Sequence, residues 1–523
     1  MQSLSQLTVF LCCLWAATLL YGEMVSYWIP LWSCSWPQLH STNGDYQVRI
    51  AVLADPQLMD RTSLGLTPKS LALEAAQFYT DLNMRRSFYS SIMPFGPDLI
   101  IFLGDHFDGG PYLSDEEWQE SLSRFKHIFG LDDHKRSAGI PIYYLSGNHD
   151  IGYGAFHSQH PKVIDRYEKE FGDRNYHFSF GKVDFIVVDA QTLDAGKEQG
   201  KATTLSWEFI RNISNDVKSN PRILLTHIPL YRPDDTPCGP YRSSPVINQR
   251  VSYAALGQGI TYQNYLSKET SERLLDIIRP ALVLSGHDHD HCTVVHSTPF
   301  GSITEHTVGT LSWQQGNLYP SFMLMAAGSS LNATEAKDAV STHLCFLPMQ
   351  THIYIWYLCQ FALTLFLLVV WPTNGFGCCN YAIKILNFIK EIGTNLTATS
   401  KEKNEEEDCD YEMIWDAEGS MHLVKKSVTK IPVAKTDVGA TGRSSVVARP
   451  TARKHLQEPD ASVLVEMGTE VKSDNTGRLH RLGKSKARKL IQRLFRVLKL
   501  LIIIAAVNGP LYMMLLFKDW IDR

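Results

Sequence analysis

Aspartate, asparagine and histidine recur at the ends of short apolar runs in this chain. Asp55 follows QVRIAVLA in ADPQ, and Asp105 and Asp108 follow DLIIFLG in GDHFDGG. Asn148, His149 and Asp150 follow PIYYLSG, His227 follows RILLT, and His287 and His289 follow ALVLSG in GHDH. In open α/β sheets the carboxyl ends of strands are where sites assemble. A single Asp or His at such a place is ordinarily a cap or turn residue, but five strand ends each delivering one point to metal ligation. No cysteine is among them, which excludes a thiolate-rich structural zinc site. Mixed carboxylate, amide oxygen and imidazole suits Mn²⁺, Fe or Zn²⁺. Two such cations sharing a bridging carboxylate can clamp both oxygens of an in-line phosphoryl displacement.

The elements that must position these residues are legible around them. Residues 45–330 alternate strand-like and helix-like segments, which argues for an α/β domain with buried sheets. The run 47–54 is β-rich, and 98–104 reads as a buried strand bounded by Pro97 and Gly104. Four more apolar strands are PIYYLSG, DFIVVDA, RILLTH and ALVLSG. Helical spacing extends over 66–92, with Thr67 as the expected N-cap before Pro68. Ser114 followed by Glu117 three residues on predicts a capping box. No internal repeat is present.

The 523 residues carry 50 basic and 54 acidic side chains, a net charge of −4, and aromatics reach 11%. This balance argues against a chain-wide nucleic-acid binder and against a disordered chain. Ten cysteines in this length exclude a small disulfide scaffold. The apolar residues are bunched at three places. The first covers residues 1–30 and reads as an uncleaved signal-anchor, since no basic residue precedes it, with a cleaved signal peptide as the alternative. The second, 352–371, has no charged residue, and the third, 497–517, has one near its start, Lys499. Both are long enough for a bilayer core of about 30 Å. Asn508-Gly509-Pro510 is expected to kink the third. Seven basic residues from Arg481 to Arg496 precede the third span, Lys499 lies in its first turn, and only Lys518 and Arg523 follow it. The positive-inside rule then places 373–490 in the cytosol and the region of about 40–350 in the lumen. The basic run beside the membrane is read as a contact for anionic lipid, with a solvated helix as the bland alternative. The tail 373–490, with its acidic KEKNEEEDCD, reads as largely disordered. Cys378 and Cys379 lie just past the second span, and juxtamembrane cysteines are a substrate for palmitoylation.

Taken together, these residues resemble the calcineurin-like metallophosphoesterase superfamily over 48–325. Its ordered motifs are matched by Asp55, by Gly104-Asp105-x-x-Asp108, by Gly147-Asn148-His149-Asp150, by His227 and by Gly286-His287-x-His289. The resemblance implies a four-layer α/β/β/α sandwich, here a lumenal domain over 45–345 beside three membrane helices. It implies that Asp105 bridges two metals, that Asp55 and His289 complete one site, and that Asn148, His227 and His287 complete the other. It gives His149 the phosphate or the leaving oxygen, with Asp108 orienting its ring. The chain departs from the pattern at Gln57, where a ligand histidine is usual. The amide oxygen is a hard ligand that loosens the first site and favours Mn²⁺ over Zn²⁺. It also departs at Gly109, where many protein phosphatases carry Arg.

The chain is most similar to membrane-anchored, lumen-facing members that remodel GPI anchors, through GDHFDGG, GNHDIG, His227-Ile228-Pro229, LSGHDHDHC and SWQQGNLYPSF. Asp55-Pro56-Gln57 is also similar to fungal members of that group. The resemblance implies an Mn²⁺-dependent phosphodiesterase that removes ethanolamine phosphate from a GPI mannose before or during export from the endoplasmic reticulum. Its partner would be a GPI glycolipid or GPI-anchored protein, and no oligomeric state is implied. Alternatives are a lumenal phosphomonoesterase of another substrate and a non-catalytic cargo adaptor on the same fold. His291 stands outside the two-histidine pattern. Trp313 and Gln314, near Asn317, are candidate pocket residues or plain core. Cys238 and Cys292 either pair or remain buried thiols, and Cys34 and Cys345, which flank membrane segments, are left unassigned. Three Asn-x-Ser/Thr acceptors are present, at Asn212, Asn332 and Asn395.

Overall fold

A computed structural model of the chain describes residues 4–39, 47–131, 139–157, 160–194, 200–215, 220–244, 247–253, 259–328, 339–371, 411–415, 421–425 and 477–521. The globular region is built on two sheets. The strands, in chain order, are β1 (Gln47–Leu53), β2 (Leu99–Phe102), β3 (Ile142–Tyr144), β4 (Tyr176–Phe180), β5 (Val183–Val188), β6 (Arg222–Thr226), β7 (Val251–Tyr253), β8 (Ile260–Gln263), β9 (Leu282–Ser285), β10 (Cys292–Thr298), β11 (Gly301–Thr307), β12 (Ser321–Gly328) and β13 (Val340–Phe346). The first sheet runs β13-β12-β1-β2-β3, and the second runs β10-β11-β9-β6-β5-β4. The strands that carry motif residues are parallel: β1, β2 and β3 in one sheet, β6 and β9 in the other. Their carboxyl ends therefore point the same way within each sheet.

Alternation along these strands sorts their side chains into layers. Val48, Ile50 and Val52 of β1 pack with Phe185, Ile223, Leu225 and Leu284 between the two sheets. Ala51 and Leu53 of the same strand face the other way, joining Phe102, Phe125 and Phe129. That outer layer belongs to the helices α3 (Leu71–Arg86) and α4 (Asp115–Phe129). Three short helices come next in the chain, α5 (Asn148–Ile151), α6 (Gly154–His157) and α7 (Pro161–Phe171). On the far side Ile186, Val188, Leu224 and Val283 meet α8 (Lys201–Asn215) and α9 (Lys268–Ile278) through Trp207, Ile210, Leu274 and Ile278. The result is helix, sheet, sheet, helix. Burying each large aliphatic side chain contributes roughly 1.5–3 kcal/mol.

The capping box at Ser114 and Glu117 forms. The start of α3 differs from the sequence expectation. Its N-cap is Ser70, whose Oγ accepts from Leu73 N, and Lys69 takes a φ of 57° that cannot continue a helix back to Thr67. The helix then widens into a π-type turn over Ser87–Ile92.

Three helices are long and apolar enough to cross a membrane, within Leu4–Ser33, Gln350–Val370 and Arg488–Trp520. They comprise α1 (Leu4–Glu23) with the short α2 (Ile29–Ser33), α10 (Gln350–Val370) and α11 (Gly477–Trp520). α11 runs through Pro510, and Asn508 Nδ2 donates to Ile504 O at 3.0 Å, adding a partner to a carbonyl just before the proline. Polar contacts join the first two spans, Trp15 Nε1 to Thr364 Oγ1 at 3.0 Å and Thr18 Oγ1 to Gln360 Oε1 at 2.7 Å. Leu7, Leu11, Leu368, Val497 and Ile504 form an apolar cluster of all three.

The domain is fastened to these helices by buried polar contacts on α3. Arg86, 2% exposed, pairs with Glu23 at the end of α1 and with Asp519 Oδ2 at 3.1 Å near the end of α11. Asn83 donates to Tyr27 at 2.8 Å and to Gln350 at 3.3 Å, at the start of α10. The end of α1, the start of α10 and the end of α11 therefore share the domain's side. A disulfide between Cys34 and Cys345 adds a covalent tie at the same junction. In the expected tail, β14 (Tyr411–Trp415) and β15 (Met421–Lys425) pair antiparallel. Cys378, Cys379, Asn332, Asn395 and most of 373–476 lie outside the described residues.

Candidate metal centre

The motif residues converge where the ends of β1, β2, β3, β6 and β9 meet. Asp55, Gln57, Asp105, His287 and His289 all have positive φ, five of the nine such non-glycine residues among those described. Left-handed backbone costs an ordinary residue about 1–2 kcal/mol, so the fold holds strain at the turns that aim these side chains. The glycines beside them are sterically required. A Cβ on Gly104 would come within 2.6 Å of His227 Nδ1, and one on Gly147 would collide with the Asp105 carboxylate. Gly109 N donates to Asp60 Oδ2 at 2.7 Å, and a Cβ there would press on Asp60 and Thr62. That is a local reason for glycine where many protein phosphatases have Arg.

Asp105 is the hub. Asp105, His227 and His287 form one group of potential ligands, and Asp55, Asp105 and His289 form another, with the ligating atoms of each group within 4.8 Å of one another. Asp105 Oδ2 lies 3.1 Å from His227 Nε2, and Oδ1 accepts the backbone N–H of His149 at 2.8 Å. Asn148 Oδ1 lies 3.2 Å from His227 Nε2. Gln57 Nε2 lies 3.3 Å from Asp105 Oδ2, while Gln57 Oε1 is buried with no partner among the described residues. Both oxygens of Asp55 accept the His287 backbone N–H at 3.1 Å.

Backbone carbonyls fix the histidine rings. His227 Nδ1 donates to Leu103 O at 2.8 Å, which leaves Nε2 facing Asp105. His287 Nε2 donates to Gln263 O at 2.9 Å, which leaves Nδ1 as its free ligand atom. Such outer contacts set tautomer and ring angle at metal sites. The His149 Nδ1 is bonded to the backbone carbonyl of Asp108, and the Asp108 carboxylate stands 3.6 Å away.

The electrostatics suit a cation. Burial lowers His287 to about 3 and His289 to about 4, so both rings are neutral and able to ligate at neutral pH. Burial pushes the Asp55 carboxyl up to about 8, against the pull of His227. Asp105 behaves oppositely: burial works to raise it, but the facing His227 and His149 rings hold it well below the usual carboxylate range. Burial disfavours charge on His227, yet Asp105 overrides this and lifts it to about 9. Asp105 and His227 thus form an ion pair without metal, and a divalent cation between them would displace the His227 proton. The orphaned Gln57 Oε1, the neutral imidazoles and the shared carboxylate together fit a pair of hard or borderline cations.

The nine residues singled out from the sequence as site residues are all brought into this region. Residues with no role assigned from the sequence hold them there. Asp150 Oδ1 accepts His106 N at 2.8 Å, and its Oδ2 accepts His106 Nδ1 and Gly147 N, each at 2.9 Å, locking the GNHD turn to the GDHFD loop. Thr310 Oγ1 donates to Asp55 O at 2.7 Å. Asp150 stood in a recognisable motif but without a role, and the Leu103 and Gln263 carbonyls carry no mark in the sequence. Cys238 and Cys292 are paired, tying the loop after β6 to the strand that follows the GHDH turn. His291 belongs to neither ligand group and bonds Thr293 Oγ1 at 3.1 Å.

The calcineurin-like phosphoesterase family model matches residues 48–291, the stretch that carries these motif residues. This region is a calcineurin-like phosphoesterase domain. With its Asp/His groups, the chain is a metallophosphoesterase with a candidate dinuclear metal site. Its relatives include Cell division control protein 1 of Saccharomyces cerevisiae, 28% identical over 66% of this chain and 70% of that protein. Metallophosphoesterase 1 of Mus musculus is 29% identical over 65% of this chain and 83% of that protein. Metallophosphoesterase 1 of Rattus norvegicus is 29% identical over 68% and 86%. These similarities extend well beyond the matched domain, whose sheets and flanking helices the metallophosphoesterase uses to hold its site.

Proposed function

We propose that this metallophosphoesterase is a phosphodiesterase of secretory membranes that removes ethanolamine phosphate from a GPI-anchor mannose, and so supports export of GPI-anchored proteins. The observation that carries the reading is a pair of ligand groups sharing Asp105, in a domain clamped by Arg86 to the ends of two membrane-length helices. A soluble substrate needs no such clamp, whereas a glycolipid reaches the site only at a membrane. The GPI resemblance of the loop motifs supports the substrate class. The basic run before the third span supports a lumenal domain in the endoplasmic reticulum or Golgi.

Asp55, Gln57, Asp105, Asn148, His227, His287 and His289 would hold two divalent cations, with the Gln57 oxygen favouring Mn²⁺. When bound, such a pair supplies Lewis acidity to the phosphodiester oxygens and makes the attacking water more acidic. The chain's own contribution is proton delivery and orientation. His149 Nδ1 is occupied by the Asp108 carbonyl, so Nε2 is the nitrogen that would give a proton to the departing mannose oxygen. Burial lowers the basicity of His149, but the Asp105 and Asp108 carboxylates outweigh it and raise its pKa, keeping that proton available. Asp108 is thereby a partner of His149 by charge as well as by its backbone.

The deciding experiment is the profile of GPI intermediates in cells lacking this protein. Species with an extra ethanolamine phosphate should accumulate, and re-expression of the intact chain, but not of Asp105→Asn, should remove them. An unchanged profile sinks the glycolipid reading while leaving the phosphoesterase chemistry standing.

A further inference from the structure

The segment between the metal centre and the second span is two residues long at its narrowest. Gln314 Nε2 donates to the backbone carbonyl of Gln57, whose side chain lies on Asp105. The adjacent Trp313 ring meets Tyr354 edge to face, with centroids 5.7 Å apart, and Tyr354 is near the start of α10. Two adjacent residues span at most about 7 Å of backbone. The reacting centre and the end of a membrane helix are therefore bridged by the side chains of neighbouring residues.

Aromatic side chains from three elements surround this bridge. Tyr354 lies 6.3 Å from Tyr79 of α3 and 6.4 Å from Tyr357, and Tyr79 Oη lies 3.2 Å from Tyr512 Oη of the third span. Aromatic rings concentrate at the level of lipid headgroups, where one end is apolar and the other wet. Along the bridge, two polar atoms outside the ligand set stand buried without partners among the described residues: Trp313 Nε1 and Gln314 Oε1. Buried polar atoms are ordinarily satisfied, and two exceptions on adjacent residues beside the metal centre call for an explanation. One donor and one acceptor match a headgroup that carries hydroxyl and phosphate oxygens, or an ammonium.

The geometry points to Trp313 and Gln314, backed by Tyr354, as the specificity-determining wall that selects a phosphodiester carried on a membrane lipid over the same diester free in solution. Trp313 and Gln314 contact the headgroup beside the scissile phosphate, and Tyr354 sets the depth of that wall relative to the bilayer. The inference deepens the phosphodiesterase reading and depends on it, but it does not require the lipid to be a GPI.

The test uses the full-length protein in phosphatidylcholine vesicles with Mn²⁺. Two probes share one leaving group: bis(4-nitrophenyl) phosphate in solution, and hexadecyl 4-nitrophenyl phosphate inserted in the vesicles. The intact protein should prefer the inserted diester in kcat/KM. Trp313→Ala should lower the inserted-to-soluble ratio by tenfold or more, through KM for the inserted probe. Trp313→Phe, which keeps the ring on Tyr354 but removes Nε1, should lose less. Tyr354→Ala should move the ratio in the same direction. A ratio unchanged in Trp313→Ala and Tyr354→Ala, or an intact protein with no preference for the inserted diester, overturns the inference. Failure of the GPI reading shows separately, in the cellular profile of GPI intermediates, because neither probe contains a GPI.

Discussion

Asp105 Oδ2 and His227 Nε2 face each other at 3.1 Å, both fully buried, and Asp105 also belongs to the second ligand group with Asp55 and His289. One carboxylate thus serves both halves of the site. Asp105→Asn should lower turnover by at least two to three orders of magnitude, in keeping with the size of metal-ion catalysis. Metal analysis of the purified variant should show loss from both positions. Near-normal turnover would sink the two-metal assignment.

His149 stands apart from both ligand groups while its ring is fixed on Asp108. His149→Ala should cost on the order of 10²–10⁴ in rate, the usual worth of a positioned acid. Metal content should remain normal. If the variant loses metal together with activity, His149 is a ligand and the proton has another source.

Gln57 offers a buried, unpartnered Oε1 beside Asp105. Gln57→His should fold and should shift selectivity from Mn²⁺ towards Zn²⁺, because imidazole is the softer ligand. Competition for the two metals, read by elemental analysis, checks this. Unchanged selectivity would mean that residue 57 does not reach the cation.

Arg86 is buried against Glu23, 3% exposed, and bonds Leu515 O at 2.7 Å. Arg86→Met would leave a buried carboxylate unpaired, a loss of about 3–5 kcal/mol. Thermal unfolding of the detergent-solubilised full chain should show a clear drop. Asp519, 23% exposed, is partly solvated, so Asp519→Asn should cost less. Equal melting of the intact and Arg86→Met chains would show that the clamp contributes nothing.

Sidedness can be read from glycans. Asn212 is exposed on α8, in the domain expected to be lumenal. Asn332 falls in the same region, expected to be lumenal, and Asn395 in the tail expected to be cytosolic. Glycosidase digestion after single Asn→Gln changes should show sugar on Asn332 and never on Asn395. A glycan on Asn395 would invert the topology.

The sequence by itself determined what is local. Each parallel strand that carries a motif residue showed as an apolar run, and each chemistry-bearing residue stood at the end of one, so the α/β alternation and the convergence of Asp105, Asn148, His227 and His287 were legible; the polar β11, parallel to β9, was not. The Ser114–Glu117 capping box was legible too, because donor and acceptor lie three residues apart. The tertiary structure decided what depends on distant backbone. Which nitrogen of His227 faces Asp105 is set by the carbonyl of Leu103, 124 positions away, and any residue's carbonyl would look the same in the sequence. Thr67 before Pro68 was the expected cap, and the left-handed Lys69 moves the start of α3 to Ser70. Cys34 found Cys345 across 311 residues, and Arg86 found Glu23 and Asp519. Composition marks where a residue prefers to be buried, but only the packing of whole layers decides which buried group meets which.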